Sequence, residues 1–546
     1  MIPLSECAHL YSTNAIPNPK EAKALQREIE DLRSRIAELK SQLQGLEEEL
    51  PQHEAVLFPV RRIPVKVLGK VFSLALPTTL DDKDREQLLN FCLVCKPWRD
   101  AALAAESLWS RVRVETCRNS FEKIVSWYNK SRDSPKSLEV AIELCNGEED
   151  CADLGSECKS GNVVLAKLLT DGPILDHLYL NYQGSNCFWN LVEALHFYDT
   201  ISKPKTRPWD CLRSLALGFD WDWEEPDDNS ESTFHHIPSS VTSLSFRLPI
   251  ADEMWKGNYI SDVPLHVPSD VLQRLTCLTF TSDWTGDHGL QLLEHCQNVE
   301  TLTLDILSKN PFGNPSNFTP SELTDSIVHL PQLRSLHLRR LLPVAVNMFL
   351  FLDTPNLVSL DIQLFPPEPE MTPEASSFAK TVLSFIERSG CQSTLRHLCI
   401  RDCPFTDEEL AALLRGLSFI THLTLDDVPI KENGNVFHKL CFPTLALPHL
   451  QALELLELPP QFRFGDVQDF LQARRPGRFD NGVFVFEGPP DSLKKVIATY
   501  QKILAPGLSM KDRSDDTPYI SALRRSGTLI SVGPSEYHGR QVQYSA

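Results

Sequence analysis

The sequence predicts an α/β fold: a solenoid of short parallel strands and helices, preceded by an all-α module and one long N-terminal helix. Three observations carry that reading. A six-residue pattern with apolar residues at its first, fourth and sixth places starts ten times, from residue 175 to residue 450. Upstream, apolar residues between 25 and 50 recur at alternating steps of four and three. Between these regions, residues 60 to 110 hold short apolar helical runs broken by prolines, with tryptophans at 98 and 109.

At 546 residues the chain exceeds what one core usually holds, so several domains or a long repeat array are expected. It divides into an N-terminal tail (1–17), a coiled-coil-like helix (18–52), an all-α module (58–115), an irregular repeat array (120–505) and a C-terminal tail (506–546). That last tail is polar and aperiodic, and disorder is expected there.

The long helix starts at Asn18-Pro19-Lys20-Glu21, which supplies an N-cap, a first-turn proline and a glutamate placed to close a capping box. Ile29, Ile36, Leu43 and Leu50 take one seam position of a heptad; Leu25, Leu32, Leu39 and Leu46 take the other. Isoleucine in the first set with leucine in the second favours two-stranded pairing. The flanking charges are mixed, and Arg35 facing Lys40 of a partner helix is repulsive. A homodimer through this helix is one expectation, and a single helix laying its stripe on its own chain is the other.

The repeated pattern reads LDHLYL at 175, LRSLAL at 212, VTSLSF at 241, LTCLTF at 275, VETLTL at 299, LRSLHL at 333, LVSLDI at 357, LRHLCI at 395, ITHLTL at 420 and LQALEL at 450. Several intervals hold a helical pattern, clearest at 406 to 414, where Thr406 and Glu409 form a capping box. SLEVAIEL (137–144) reads as a first, degenerate strand. LELPP (456–460) ends the regular pattern, and FVFEGPPDSLKKVIATYQKIL (484–504) reads as one more strand and a capping helix. These spacings bracket the period of leucine-rich-repeat proteins, which the array resembles. The resemblance is good in the strands and weak in the turns: the family's Asn or Cys at the ninth place survives at Cys403 but is missing from most copies. Irregular curvature is expected.

On such strands the leucines point inward, so residues two, four and six places after the first face the other, concave side. The central column is then Tyr179, Ala216, Ser245, Thr279, Thr303, His337, Asp361, Cys399, Thr424 and Glu454, small and polar in the middle and acidic toward the end. Tyr179, Thr303, His337, Asp361, Cys399, Thr424 and Glu454 are the candidate substrate face; an idle solvated face is the alternative.

Residues 60 to 110 read VRRIPVKVLGKVFSLALP, an acidic spacer, LLNFCLVCKPWRDAAL, then SLWS. The segment resembles the F-box motif of the fungal, basidiomycete-like type: Ile63-Pro64 stands for the opening Leu-Pro, Val94-Cys95-Lys96 and Trp98 for V-C-[KR]-x-W, and Leu108-Trp109 for the closing L-W. The resemblance implies docking on the linker subunit of an SCF-type ubiquitin ligase, and through it on a cullin. Ile63, Pro64, Val67, Leu68, Val71, Phe72, Val94, Trp98, Leu108 and Trp109 would make that contact. For Trp98 and Trp109 the alternative is that they seal the module onto the array. Pro97 lacks an N–H and should kink the helix or begin a new one. The implied function is a non-catalytic adaptor that brings a protein substrate to the ligase. The alternative is an interaction scaffold outside any ligase, with a divergent F-box as structural cap.

Composition excludes other classes. With 53 basic and 73 acidic residues the chain carries −20, and no basic run exceeds Val60-Arg61-Arg62, so nucleic acid and anionic membrane are not expected partners. There is no secretory signal pattern and no apolar stretch long enough to span a bilayer, so a cytoplasmic or nuclear, unsecreted protein with reduced thiols is expected. Cys92-x-x-Cys95 has no second such pair beside Cys399-x-x-x-Cys403 and reads as buried packing thiols rather than a metal or redox site. No catalytic motif, metal site or cofactor loop is present in the sequence. His235-His236 reads as a polar loop pair, and WDWEEPDDNSES (221–232) as a solvated acidic loop without calcium-loop geometry.

Overall fold

In the computed structural model of the protein every copy of the apolar pattern becomes a strand. The structure describes residues 10–57, 62–115, 121–141, 163–202, 206–223, 232–251, 265–307, 312, 326–365, 378–428, 436–501 and 517–534, apart from a few single positions within them. Two units are distinguished: Met1–Thr78 with Lys83–Leu108, and Thr79–Asp82 with Trp109–Ala546.

The second unit is the repeat array. Its strands are β1 (Arg111–Glu115), β2 (Ser137–Ala141), β3 (His177–Gly184), β4 (Ser214–Asp222), β5 (Ser243–Arg247), β6 (Cys277–Ser282), β7 (Thr301–Ile306), β8 (Val328–His329) and β9 (Ser335–Leu341). There follow β10 (Leu352–Asp353), β11 (Ser359–Leu364), β12 (His397–Arg401), β13 (His422–Asp426), β14 (Ala452–Leu458), β15 (Gly477–Asp480), β16 (Val483–Phe486), β17 (Lys495–Tyr500) and β18 (Leu529–Pro534). Fourteen of them form one sheet in chain order; β8 pairs with β10, and β15 with β16, outside it. Within the large sheet neighbouring strands are parallel, as crossover helices require. The intervals supply those helices, among them Val163–Asp171, Ser185–Ser202, Phe378–Arg388, Asp407–Gly416, Val436–Cys441 and Phe464–Arg474. The Thr406 capping box is formed: the Glu409 N–H donates to Thr406 Oγ1 at 3.3 Å, and the Thr406 N–H donates to Glu409 Oε2 at 2.9 Å.

The first apolar residue of each copy, from Leu175 to Leu450, is no more than 1% exposed, so the pattern is the core. Each such side chain contributes about 2 kcal/mol of burial, an upper figure because unfolded chains already hide part of it. Register keeps equivalent places together: Leu336 lies opposite Leu302 on one side and Leu360 on the other.

Strands end in two ways, and this accounts for the missing asparagine. In β4, β5, β6 and β7 alternation simply continues, burying Phe219, Leu248, Ser282 and Ile306 at the eighth place. In β9, β12, β13 and β14 the eighth residue (Arg340, Asp402, Asp427, Glu457) takes a positive φ of 48–54°. That turn of the backbone carries the ninth residue inward, so Leu341, Cys403, Val428 and Leu458 are buried where the consensus has asparagine.

Two expectations are corrected at the C-terminal end. The segment read as a capping helix is strand β17, whose Val496, Ala498 and Tyr500 are buried while Lys495, Ile497 and Thr499 are less so, a period of two. The tail expected to be disordered contributes a helix, Pro518–Arg525, capped by Thr517 Oγ1 accepting from the Ile520 N–H, and strand β18, which pairs with β17. That helix buries Tyr519, Ile520, Ala522 and Leu523, a stripe too short to stand out in sequence. At the opposite edge Leu80 pairs with Val112: its N–H donates to the Arg111 carbonyl at 3.1 Å and its carbonyl accepts from Arg113 at 2.9 Å. An otherwise open edge is thereby covered. Most of the acidic loop at 221–232 lies outside the described residues.

The first unit is helical: α1 (Pro19–Leu57), α2 (Val65–Ala75), α3 (Asp82–Val94) and α4 (Lys96–Ala104). The Asn18 box that starts α1 is formed, Asn18 Oδ1 accepting from Glu21 at 3.0 Å and Glu21 Oε2 accepting from the Asn18 N–H at 2.8 Å. Pro97 divides α3 from α4: Cys95 is extended and caps α4, and the proline sits in its first turn, where its missing N–H is no loss. Cys95 is exposed there, not packed as expected, while Cys92 is half-buried.

Candidate functional site

Two surfaces are the candidates for function in this chain, one in each unit, and each follows from where the core stops. In the helical unit α2 crosses α4 closely because Gly69 has no side chain; a Cβ there would meet the Ala101 carbonyl and Ala105 Cβ, both at 3.3 Å. Above that crossing Phe72, Phe91 and Trp98 form an aromatic cluster, with ring centroids 4.9, 5.1 and 5.9 Å apart.

This arrangement sorts the expected docking residues. Leu68 and Phe72 are buried beneath α2, and Leu108 is buried as well, so the structure corrects them from contact residues to core. Trp109 is buried too and belongs to the array unit. Its ring lies 4.6 Å from that of Trp127, with the Lys130 ammonium 4.5 Å above it, and both of these contacts lie within the array unit. Trp98 is half-buried within the aromatic cluster, and Ile63 is half-buried. Pro64, Val67, Val71 and Val94 are exposed. The structure adds residues the sequence reading missed: Leu74 (75% exposed) continues Val67 and Val71 along one face of α2, and Leu89 and Leu93 (81% exposed) stand on α3. Their signal was the spacing 67, 71, 74 and 89, 93, a second apolar stripe on helices already using one for their core. Exposed apolar side chains grouped on one helix face are candidates for a contact with another molecule.

In the array the expected column is continuous and in register: Tyr179, Ala216, Ser245, Thr279, Thr303, His337, Asp361, Cys399, Thr424 and Glu454 lie side by side across ten strands. Glu139 precedes it and Ile497 and Ser531 follow. Tyr179, Thr303, His337, Cys399, Thr424 and Glu454 are half-buried by their neighbours. Ala216 and Asp361 are buried, which corrects the expectation that Asp361 is a free recognition residue.

Asp361, on β11, is closed by side chains from the strands on either side, β9 and β12. Arg339 Nη2 donates to its Oδ2 at 2.7 Å, Arg401 Nε stands 3.6 Å from Oδ1, and His337 Nδ1 is 3.5 Å from Oδ2. Burial by itself would raise the Asp361 carboxyl, but the His337 contact and the Arg339 and Arg401 guanidiniums outweigh it and hold the pKa at about 2. Beside it Cys399 is pushed the other way, to about 12, by burial and then by the Asp361 charge, so its thiol stays protonated. Glu454 is engaged as well, accepting from Lys495 Nζ at 2.6 Å and Thr424 Oγ1 at 3.2 Å.

A second cluster ties β3, β4 and β5. Arg247 Nη2 donates to Asp220 Oδ1 at 2.6 Å and to Asn181 Oδ1 at 2.8 Å, and Asn181 Nδ2 donates to Asp220 Oδ2 at 2.7 Å. The bridge from β5 to β3 passes over Gly218, where a Cβ would lie 2.3 Å from Asn181 Oδ1. Arg247, Arg339 and Arg401 were legible as one feature, an arginine directly after VTSLSF, LRSLHL and LRHLCI.

Residues 60–115 match the F-box-like family model. No curated protein matches the chain. Among solved structures, a leucine-rich repeat-containing protein, LegL7 from Legionella pneumophila, is similar at 14% identity over 47% of this chain and 78% of its own, with a TM-score of 0.27. An internalin from Listeria monocytogenes is similar at 13% identity over 66% of this chain and 80% of its own, with a TM-score of 0.26. At such scores the likeness adds nothing to the parallel repeat topology already described. These matches give no support to a fungal type. Among the described residues no helix is long and apolar enough to cross a membrane. The chain therefore joins an F-box-like segment to a repeat array of leucine-rich type, both interaction modules.

Proposed function

We propose that this protein is a substrate-recognition adaptor of an SCF-type ubiquitin ligase, in the cytosol or nucleus, with no chemistry of its own. The F-box-like segment docks on the linker subunit and so reaches the cullin, and the helix-free face of the sheet binds a protein substrate. One observation carries the reading: Val67, Val71 and Leu74 are exposed in a row directly over a closed core of Leu68 and Phe72. A small helical unit with its interior satisfied has no internal use for that row. On the array, half-buried Thr303 lies between the two arginine clusters, Tyr179 and His337 lie within them, and Thr424 lies beyond them.

Affinity purification with mass spectrometry tests it. The Val67→Asp/Val71→Asp variant should lose the linker subunit and cullin, since buried apolar anchors each carry on the order of 2 kcal/mol in such interfaces. Thr303→Arg should keep both and lose client proteins. A wild-type chain that recovers clients but never a linker or cullin points instead to the scaffold reading, with the helical unit as structural cap.

A further inference from the structure

We infer that a second copy of this chain covers the α1 seam, forming a parallel, in-register, two-stranded coiled coil. The inference goes beyond the adaptor reading and does not rest on it. Ile29, Leu32, Ile36, Leu39, Leu43, Leu46 and Leu50 are each between 48% and 64% exposed, so their own chain does not cover them. Seven large apolar side chains in a 3.5-residue period need a surface of the same period, which only another helix supplies. No polar residue interrupts the seam between 25 and 50 to demand a different partner, so it is complementary to itself.

Flanking charges decide the direction. In a parallel, in-register pair Glu28 faces Arg33 of the second copy, Arg35 faces Lys40, and Gln42 faces Glu47. Within the seam one contact attracts, one repels and one is neutral, and past its end Glu49 faces Glu54, a second repulsion; each is present twice by symmetry. An antiparallel pair that matches the same seam stacks Ile36 on Leu39 and Ile29 on Leu46 of the second copy. It sets Glu28 against Glu49 and Arg33 against Lys40, both repulsive, while Arg35 faces the neutral Gln42. The parallel pair retains the one attraction and is favoured. Isoleucine at 29 and 36 with leucine at 32 and 39 agrees with it, since that combination suits parallel dimers. The seam is short, so association in the micromolar range is expected. Each dimer then displays two docking surfaces and two recognition faces, and a client with two binding segments gains avidity.

Light scattering and analytical ultracentrifugation of the full chain test this. The wild type should be dimeric at tens of micromolar, and Ile36→Asp and, independently, Leu43→Asp should be monomeric with an unchanged melting temperature. Glu28→Lys should weaken the dimer about tenfold, because it turns two attractions into repulsions, and Arg35→Glu should tighten it about tenfold by the reverse change. A monomeric wild type overturns the proposal. So does a dimer that survives both aspartate variants. Tightening by Glu28→Lys, with no response to Arg35→Glu, overturns the parallel register in favour of the antiparallel one.

Discussion

The helical unit and the repeat array spend the same kind of residue in opposite ways. In α2, Phe72 is 2% exposed and Val71, its neighbour, is 46% exposed. In β11, Leu360 is fully buried and Asp361, its neighbour, is also buried, at 6%. The alternation of faces is equally strict in both elements. What differs is the supply of neighbours. From β1, whose edge Leu80 pairs with, to β17, each strand of the large sheet has a pairing partner on both sides, so even its outward residues are half covered. Three short helices cover one another on one side only, and one apolar face of α2 is left exposed. An outward position in the array is thus half covered by its neighbours, and an outward apolar position on α2 stays exposed.

The largest effects should come from the inward partner of each pair. Phe72→Ala should destabilise its unit by about 3–5 kcal/mol and Leu360→Ala the array by about 2–5 kcal/mol. Hydrogen exchange resolves the two separately, and Phe72→Ala should release protection over residues 65–78 and 83–104 without touching the array. The contrast fails if protection is lost throughout.

Asp361→Ala comes next, at about 2–3 kcal/mol, because it strands Arg339 and Arg401 without their carboxylate; both arginines are partly solvated, which keeps the loss below that of a fully buried pair. Its pH dependence has a definite sign. The folded pKa of about 2 lies below the unfolded value of 3.8, so this stabilisation is complete above about pH 4 and is lost as pH falls through about 2. Urea midpoints of the wild type and Asp361→Asn should converge over that range. A gap that stays constant would mean the arginines do not hold the carboxylate.

Gly218→Ala should be milder, about 1 kcal/mol, since the new methyl must displace Asn181 and break the tie to Arg247. An Asn181→Ala background should absorb most of the loss, and equal losses in both backgrounds would remove the bridge from the account. Val71→Asp should be smallest, within about 0.5 kcal/mol, as for any exposed site. A large loss of stability there would show that the exposed row of α2 is covered by its own chain.

By itself the sequence determined everything that repeats. Periodicity is local, so the ten strands, the phase of their leucines, the central column and the division at Pro97 could all be read from single segments. The seam of α1 was legible for the same reason. Tertiary structure decided whatever depends on a neighbour far away in the chain. Leu68 and Phe72 match a docking motif as text, yet both are buried, Phe72 against Phe91 and Trp98, which makes them core, and Leu74 and Leu93 the surface. Asp361 reads as a free acid, yet Arg339 and Arg401, 22 residues before it and 40 after, close over it. The segment 495–500 reads as a helix in the sequence although three of its six residues, Val496, Ile497 and Thr499, are β-branched; the unpaired edge of β14 makes it a strand, and the polar tail follows by pairing with it in turn. A short segment's conformation is worth little free energy alone, so the edge that completes its hydrogen bonds settles what it becomes.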